Sequence, residues 1–192
     1  MEILLNIDEL SDITNRSWDE SLQADEEKQI RNVLQMEGVQ KLARVNIGPG
    51  ADLLTILVAI NAVADTYLVA SKLLEGSEAW KKIISKIKGF ISKKQLVSID
   101  EDGAKLLAID YLVNHCSFDA IELIDSHVIN ITDISGMVLN TSELAKKPYN
   151  YYIQTYHVNG EDRVILGICS DGEVKLIKAF GLSNYGLDEI GK

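Results

Sequence analysis

The chain has 192 residues, enough for one sizeable core or two small ones, and its 46% hydrophobic and 25% charged content is that of an ordinary globular protein. Its net charge of −10 disfavours nucleic acid as a partner, because neutralising phosphates needs a surplus of lysine and arginine. Two cysteines, Cys116 and Cys169, make no disulfide framework, and the opening MEILLNIDEL lacks the basic stretch and cleavage site of a secretory signal, so a cytoplasmic location is expected.

In chain order, residues 2–7 (EILLNI) read as a short strand. A polar, acidic region follows, with Ser11, Asp12, Asn15 and Asp19 as turn formers. Ile30, Val33 and Leu34 recur at helical spacing, and Asp25, Glu26 and Glu27 suit early turns, which predicts a helix from about Trp18 to Met36 ended by Gly38. Residues 39–47 alternate loosely and predict a strand.

Residues 47–74 dominate the reading. Gly48-Pro49-Gly50 breaks the chain, and an apolar run starts at Leu53. Asn61, Asp65, Lys72 and Glu75 fall in one sector at helical period, which predicts a buried central helix over about 51–75, with Asp52 in its first turn. The run between Asp52 and Asp65 is short for a membrane span, and an aspartate at mid-bilayer costs about 2.5–3.5 kcal/mol. The Gly-Pro-Gly turn does not make a phosphate cradle, since neither G-x-G-x-x-G nor G-x-x-x-x-G-K-[ST] is present.

Residues 78–94 form the one basic segment, with one acid and six lysines. Trp80, Ile83, Ile84, Ile87, Phe90 and Ile91 line one face of an amphipathic helix, and Lys81, Lys82, Lys86 and Lys88 lie outside that stripe. Such a helix either docks on the core with its lysines in water or meets an acidic partner or membrane surface. Residues 95–99 read as a strand. Asp100-Glu101-Asp102 then opens a helix to about Asn114, with Ala104, Leu107, Ala108 and Tyr111 as its apolar face. Asp100, Asp102 and Gly103 resemble a fragment of a calcium loop, but the acid required at position twelve is missing.

The last third changes character. Residues 149–158, 163–169 and 173–180 predict three strands separated by Asn159-Gly160 and Asp171-Gly172, an antiparallel meander to which 121–131 and 136–140 add. If the Asp-Gly turn takes two residues, Ile168 opposes Lys175. One face then carries Ile153, His157, Val164, Leu166 and Ile168, the other Tyr152, Tyr156, Ile165, Cys169 and Phe180, and both are apolar.

The expected architecture is a single α+β domain over 1–192, helical to about 116, its central helix packed on a β-rich remainder over about 117–192. Three histidines without H-x-x-x-H or C-x-x-C spacing give no zinc signature, and neither a metal nor another cofactor is expected. The expected function is that of a soluble, bacterial-type interaction or regulatory module, non-catalytic and acting on a protein partner or on itself. Trp80, Lys81, Lys82, Lys86, Lys88 and Asp65 are its candidate contact residues. A hydrolase assembled from His115, His127 or His157 with Asp110, Asp125 or Cys169 is the first alternative. A membrane-surface protein using helices 51–75 and 78–94 is the second, and ranks below a protein partner.

Overall fold

The computed structural model describes residues 1–7, 9–10, 22–45, 55–60, 67–69, 77–130 and 150–181. Its strands are β1 (Glu2–Asn6), β2 (Val39–Val45), β3 (Thr55–Ile60), β4 (Tyr67–Val69), β5 (Leu96–Ile99), β6 (Ala120–Asn130), β7 (Asn150–Val158), β8 (Asp162–Cys169) and β9 (Val174–Phe180). Its helices are α1 (Ala24–Leu34), α2 (Ser77–Ser92) and α3 (Glu101–His115). The strands form two antiparallel sheets, one ordered β2-β3-β1-β5 and the other β4-β6-β7-β8-β9.

The protein is thus α+β, but its first two-thirds are not helical. The predicted central helix over 51–75 is replaced by β3 and β4, which belong to different sheets. The reason lies in TILVAI, where Thr55, Ile56, Val58 and Ile60 are β-branched. These side chains lose rotamer freedom in a helix and pack well on a pleated surface. β3 lies between β2 and β1 and buries both its faces, so it reads as a continuous apolar run without alternation. Gly48-Pro49-Gly50, Asp52, Asn61, Asp65, Lys72 and Glu75 lie outside the described residues, as do 136–140.

In the four-stranded sheet, Ile3 opposes Val58 and Leu5 opposes Ile56 on the face that joins the main core. Ile30 and Leu34 of α1 join that core, and Glu26 of α1 pairs with Arg44 of β2, both nearly buried. On the opposite face Leu4, Leu57 and Val45 form a smaller buried cluster with Ala43 and Val97 beside it. α1 begins with Asp25, Glu26 and Glu27 in its first turn, where the helix dipole favours acids. It ends at Leu34, ahead of the expected Gly38. Gln35 adopts the left-handed conformation and returns its N–H to the Arg31 carbonyl.

A central buried helix does exist, and it is α3. Ala104, Leu106, Leu107, Ala108, Ile109 and Leu112 are all buried, more of its circumference than the expected face. The Asp100 carboxylate caps it by accepting the Gly103 N–H at 2.9 Å, and its second oxygen accepts the Glu2 N–H at 2.6 Å. The two sheets meet here. Asp100 N–H donates to the Glu2 carbonyl of β1, Ile99 N–H donates to the Ser170 carbonyl beyond β8, and the Tyr152 hydroxyl of β7 donates to the Ile99 carbonyl at 2.9 Å.

The β6–β9 meander follows the predicted order, with different turns. Cys169 N–H bonds to the Glu173 carbonyl and Ile168 opposes Val174, so the loop has three residues, with Gly172 at φ +96°. Val158 opposes Asp162, which makes the Asn159-Gly160 connection three residues as well. The face assignment changes accordingly. Tyr152, Gln154, Tyr156 and Val158 share the inner face with Val164, Leu166 and Ile168, and all seven are buried. Tyr151, Ile153, Thr155 and His157 share the outer face with Arg163, Ile165, Gly167 and Cys169. One face is core and the other is mixed, in place of two equivalent apolar faces.

Candidate interaction surface

The outer face of the five-stranded sheet carries most of the chemistry that the sequence singles out. By register, Glu122, His157 and Arg163 form one cross-strand row, Asp125, Thr155, Ile165 and Lys178 a second, and His127, Ile153, Gly167 and Lys175 a third. The Tyr151 ring lies across Gly167, where any side chain would collide with its hydroxyl, and Ile177 approaches the same point. Lys178 Nζ stands 5.7 Å from the Phe180 ring centre. The surface is aliphatic and aromatic at the middle and end of β8 and β9, with ionisable groups of both signs around it.

His127, His157 and Cys169 share this face but not a site. His127 opposes Ile153, four residues from His157, so the two imidazoles are about 14 Å apart along the strands. Cys169 opposes Tyr151, about 20 Å from His157 by the same spacing. His127 Nε2 lies 2.8 Å from Asp125 Oδ2, and both side chains are open to water, at 70% and 51% exposure. Burial is the largest cause raising the Cys169 thiol pKa, reinforced by Asp171 and Glu173, which disfavours the thiolate that a nucleophile needs. His115 ends α3, its Nδ1 2.7 Å from the Tyr111 carbonyl and its ring stacked on Tyr111. Asp110 points to α2. Among the described residues, no three His, Cys, Asp or Glu side chains are grouped so as to hold a metal.

The candidate contact residues of the basic helix are also accounted for. Trp80 is half-buried against the main core, as are Ile83 and Ile91, while Ile87 and Phe90 are buried in it. Lys88 Nζ sits 2.5 Å from Asp110 of α3, and Lys82 lies 3.8 Å from Glu37. Lys81 is exposed and Lys86 half-buried. Asp65 is outside the described residues. Among those residues, no helix is long and apolar enough to cross a membrane.

The large apolar side chains left exposed are elsewhere. Ile124 and Val128 on β6 and Ile177 and Phe180 on β9 are 45–49% exposed, and the fifth, Val113, is on α3. Among the described residues, four of these five stand on β6 and on the edge strand β9 of one sheet, with β7 and β8 between them. Sequence reading missed them because their strands alternate, and alternation marks a half-buried strand without saying which open residues group together. Compared with known proteins, the chain matches no family model, no curated protein and no solved structure.

Proposed function

We propose that this protein is a non-catalytic interaction module, a single cytoplasmic domain that engages a protein through the exposed flank of its five-stranded sheet. The observation that carries the reading is the exposure of Ile177 and Phe180 on the edge strand β9, beside an outer face with Tyr151, Ile153 and Ile165. Isolated exposed apolar residues are normal on any surface, but a group of them rimmed by polar side chains marks contact sites. The spacing of His127, His157 and Cys169 supports the same reading over a hydrolase, since nucleophile and base must lie within hydrogen-bond reach.

The test compares the protein with an Ile177→Ser/Phe180→Ser variant as bait in its source lysate, read by quantitative mass spectrometry, alongside light scattering of the purified protein. A protein retained by the native chain and lost with the variant, or self-association lost with it, is the expected result. Identical retention and identical mass for both baits would overturn the proposal. Turnover of an ester or peptide substrate abolished by His157→Ala would replace it with the enzyme reading.

A further inference from the structure

Of the two dipeptides that punctuate the meander, Asn159-Gly160 does more than turn the chain. Asn159 takes the left-handed conformation at φ +55°, which asparagine tolerates, and Gly160 follows at φ +80°. The Asn159 N–H donates to the Ala120 carbonyl at 2.9 Å. Its side-chain Oδ1 accepts the Asp119 N–H at 2.7 Å and the Ala120 N–H at 3.2 Å. One residue of the β7–β8 turn therefore pegs the entry to β6, where the chain arrives from α3. Next to the peg, Ile121 and Val158 oppose each other and both are buried.

Asn159-Gly160 is also the only asparagine–glycine pair in the chain. A glycine leaves its backbone nitrogen unshielded, because it has no Cβ. We propose that Asn159 is a covalent modification site, a point of spontaneous deamidation guarded by its own hydrogen bonds to β6. The proposal does not rest on the interaction reading.

The chemistry needs only the turn and water. The Gly160 nitrogen bonds to Asn159 Cγ and gives up its proton, the Cγ–Nδ2 bond breaks, and Nδ2 leaves with that proton as ammonia. The product is a five-membered imide. One water then opens it at either carbonyl. Opening at Cγ leaves aspartate, and opening at the former main-chain carbonyl leaves isoaspartate, whose chain runs through Cβ and Cγ. The sum is carboxamide plus water to carboxylic acid plus ammonia, with no oxidant or reductant.

The guard is the pair of β6 donors. Ring closure fixes the carboxamide carbon in the plane of the imide, so Oδ1 gives up the position from which it accepts both N–H groups. The reaction therefore waits for a local opening of the peg. Its two products then differ at that peg. Aspartate keeps a side-chain oxygen of the same reach, and its charge strengthens both bonds. Isoaspartate adds a methylene to the main chain and carries Cγ into it, so the peg is lost and the entry to β6 is released.

Asp171-Gly172 is built the other way. The Gly172 N–H donates to the Cys169 carbonyl at 2.9 Å, and a Cβ at this glycine would collide with Ile91. Gly160 is exposed, and among the described residues an added Cβ there would meet nothing. The first turn has room to rearrange into an imide, and the second is held by its surroundings.

The test incubates the folded protein, and the same protein unfolded in urea, at mildly alkaline pH. Peptide mass spectrometry follows the amide-to-acid change at each asparagine, and an isoaspartyl methyltransferase with S-adenosylmethionine scores isoaspartate. In urea, Asn159 is expected to convert faster than any other asparagine. In the folded protein it converts about tenfold to a hundredfold more slowly, because two hydrogen bonds must break first. Amide hydrogen exchange then reads the peg. The Asp119 and Ala120 N–H groups should be protected in the native chain and in Asn159→Asp, and should lose protection in Asn159→Ala and in the isolated isoaspartate fraction. Circular dichroism checks folding, and if Asn159→Ala does not fold, the comparison of Asn159→Asp with the isoaspartate fraction still decides. Equal rates in the two conditions, or no conversion of the folded protein over many half-lives of the unfolded one, overturn the guarded site. Unchanged protection of Asp119 and Ala120 in the isoaspartate fraction overturns the peg.

Discussion

The two sheets of this protein are built from similar amounts of aliphatic residue and put them to different uses. The four-stranded sheet closes both faces of its central strands: Ile3, Leu5, Ile56 and Val58 on one side, Leu4 and Leu57 on the other, all buried. The five-stranded sheet closes one face, with Tyr152, Tyr156, Val164, Leu166 and Ile168, and keeps Ile177, Phe180 and the histidines outside. A sheet closed on both sides can only support the fold. A sheet whose outer face is exposed among the described residues has surface for a partner, and there an exposed apolar side chain carries information.

Stability mutants should break along this line. Ile56→Ala, at a position with no exposure between two covered faces, should cost about 2–5 kcal/mol in urea unfolding, the range for truncating a buried aliphatic residue. Phe180→Ala, with the larger side chain, should stay within about 0.5–1 kcal/mol, as surface substitutions do. Equal costs would mean that the outer face of the five-stranded sheet is packed as firmly as the core.

The inner face of that sheet carries a buried polar pair. Gln154 is fully buried between Val164- and Ile168-bearing rows, its Oε1 accepting the Tyr156 hydroxyl at 2.7 Å while its Nε2 has no partner among the described residues. Burial also pushes the Tyr156 phenol well above its ordinary pKa, so it stays a neutral donor. Gln154→Leu leaves the hydroxyl unpaired, and Tyr156→Phe leaves Oε1 unpaired; each should cost about 1–3 kcal/mol. The double variant should cost clearly less than the sum, because it removes both partners at once. Strict additivity in the cycle would show that the two groups do not act as a pair.

The same contrast explains what could be read in the sequence. The meander was legible because β7, β8 and β9 alternate between a wet face and a dry one and are punctuated by Asn-Gly and Asp-Gly. Its register was not, since a dipeptide marks a turn without fixing whether two or three residues close it, and one residue of slip exchanges the faces. The helices α1, α2 and α3 were legible from their caps, acidic first turns and apolar spacing. β3 was not: TILVAI is buried on both sides, and a short apolar run has no period that separates strand from helix. Of the site, the sequence supplied the residue types but not their distances, because His127, His157 and Cys169 are brought to one face by pairing between strands far apart in the chain.

Asp100 sits where the two sheets join, and its titration reports on that seam. Burial is the largest influence and raises its pKa, opposed by the N–H groups of Gly103 and Glu2. A carboxyl whose folded pKa is raised binds its proton more tightly in the folded state. Its contribution to stability is therefore fully present below the ordinary carboxylate pKa and is lost as pH rises through the raised folded value. The stability of the native chain minus that of Asp100→Asn should accordingly fall as pH is raised from about 3 towards neutrality. A difference that rises over this window would mean that the two backbone donors outweigh desolvation and that the seam prefers the charged carboxylate.

The smallest expected effect concerns the basic helix. Lys88 and Asp110 join α2 to α3 at 2.5 Å, with the lysine half-exposed and the aspartate mostly covered. Lys82 and Glu37 are 3.8 Å apart and largely in water. Exposed pairs are worth about 0–1 kcal/mol, and the value depends on how well solvent is kept away. A double-mutant cycle on Lys88 and Asp110 should therefore give a coupling of about 0.5 kcal/mol that salt reduces, and the cycle on Lys82 and Glu37 should give none that is measurable. If instead both couplings vanish while binding to an acidic partner depends on Lys81, Lys82, Lys86 and Lys88 together, the lysines face outward for a purpose, and the molecule has a second working surface opposite in character to the first.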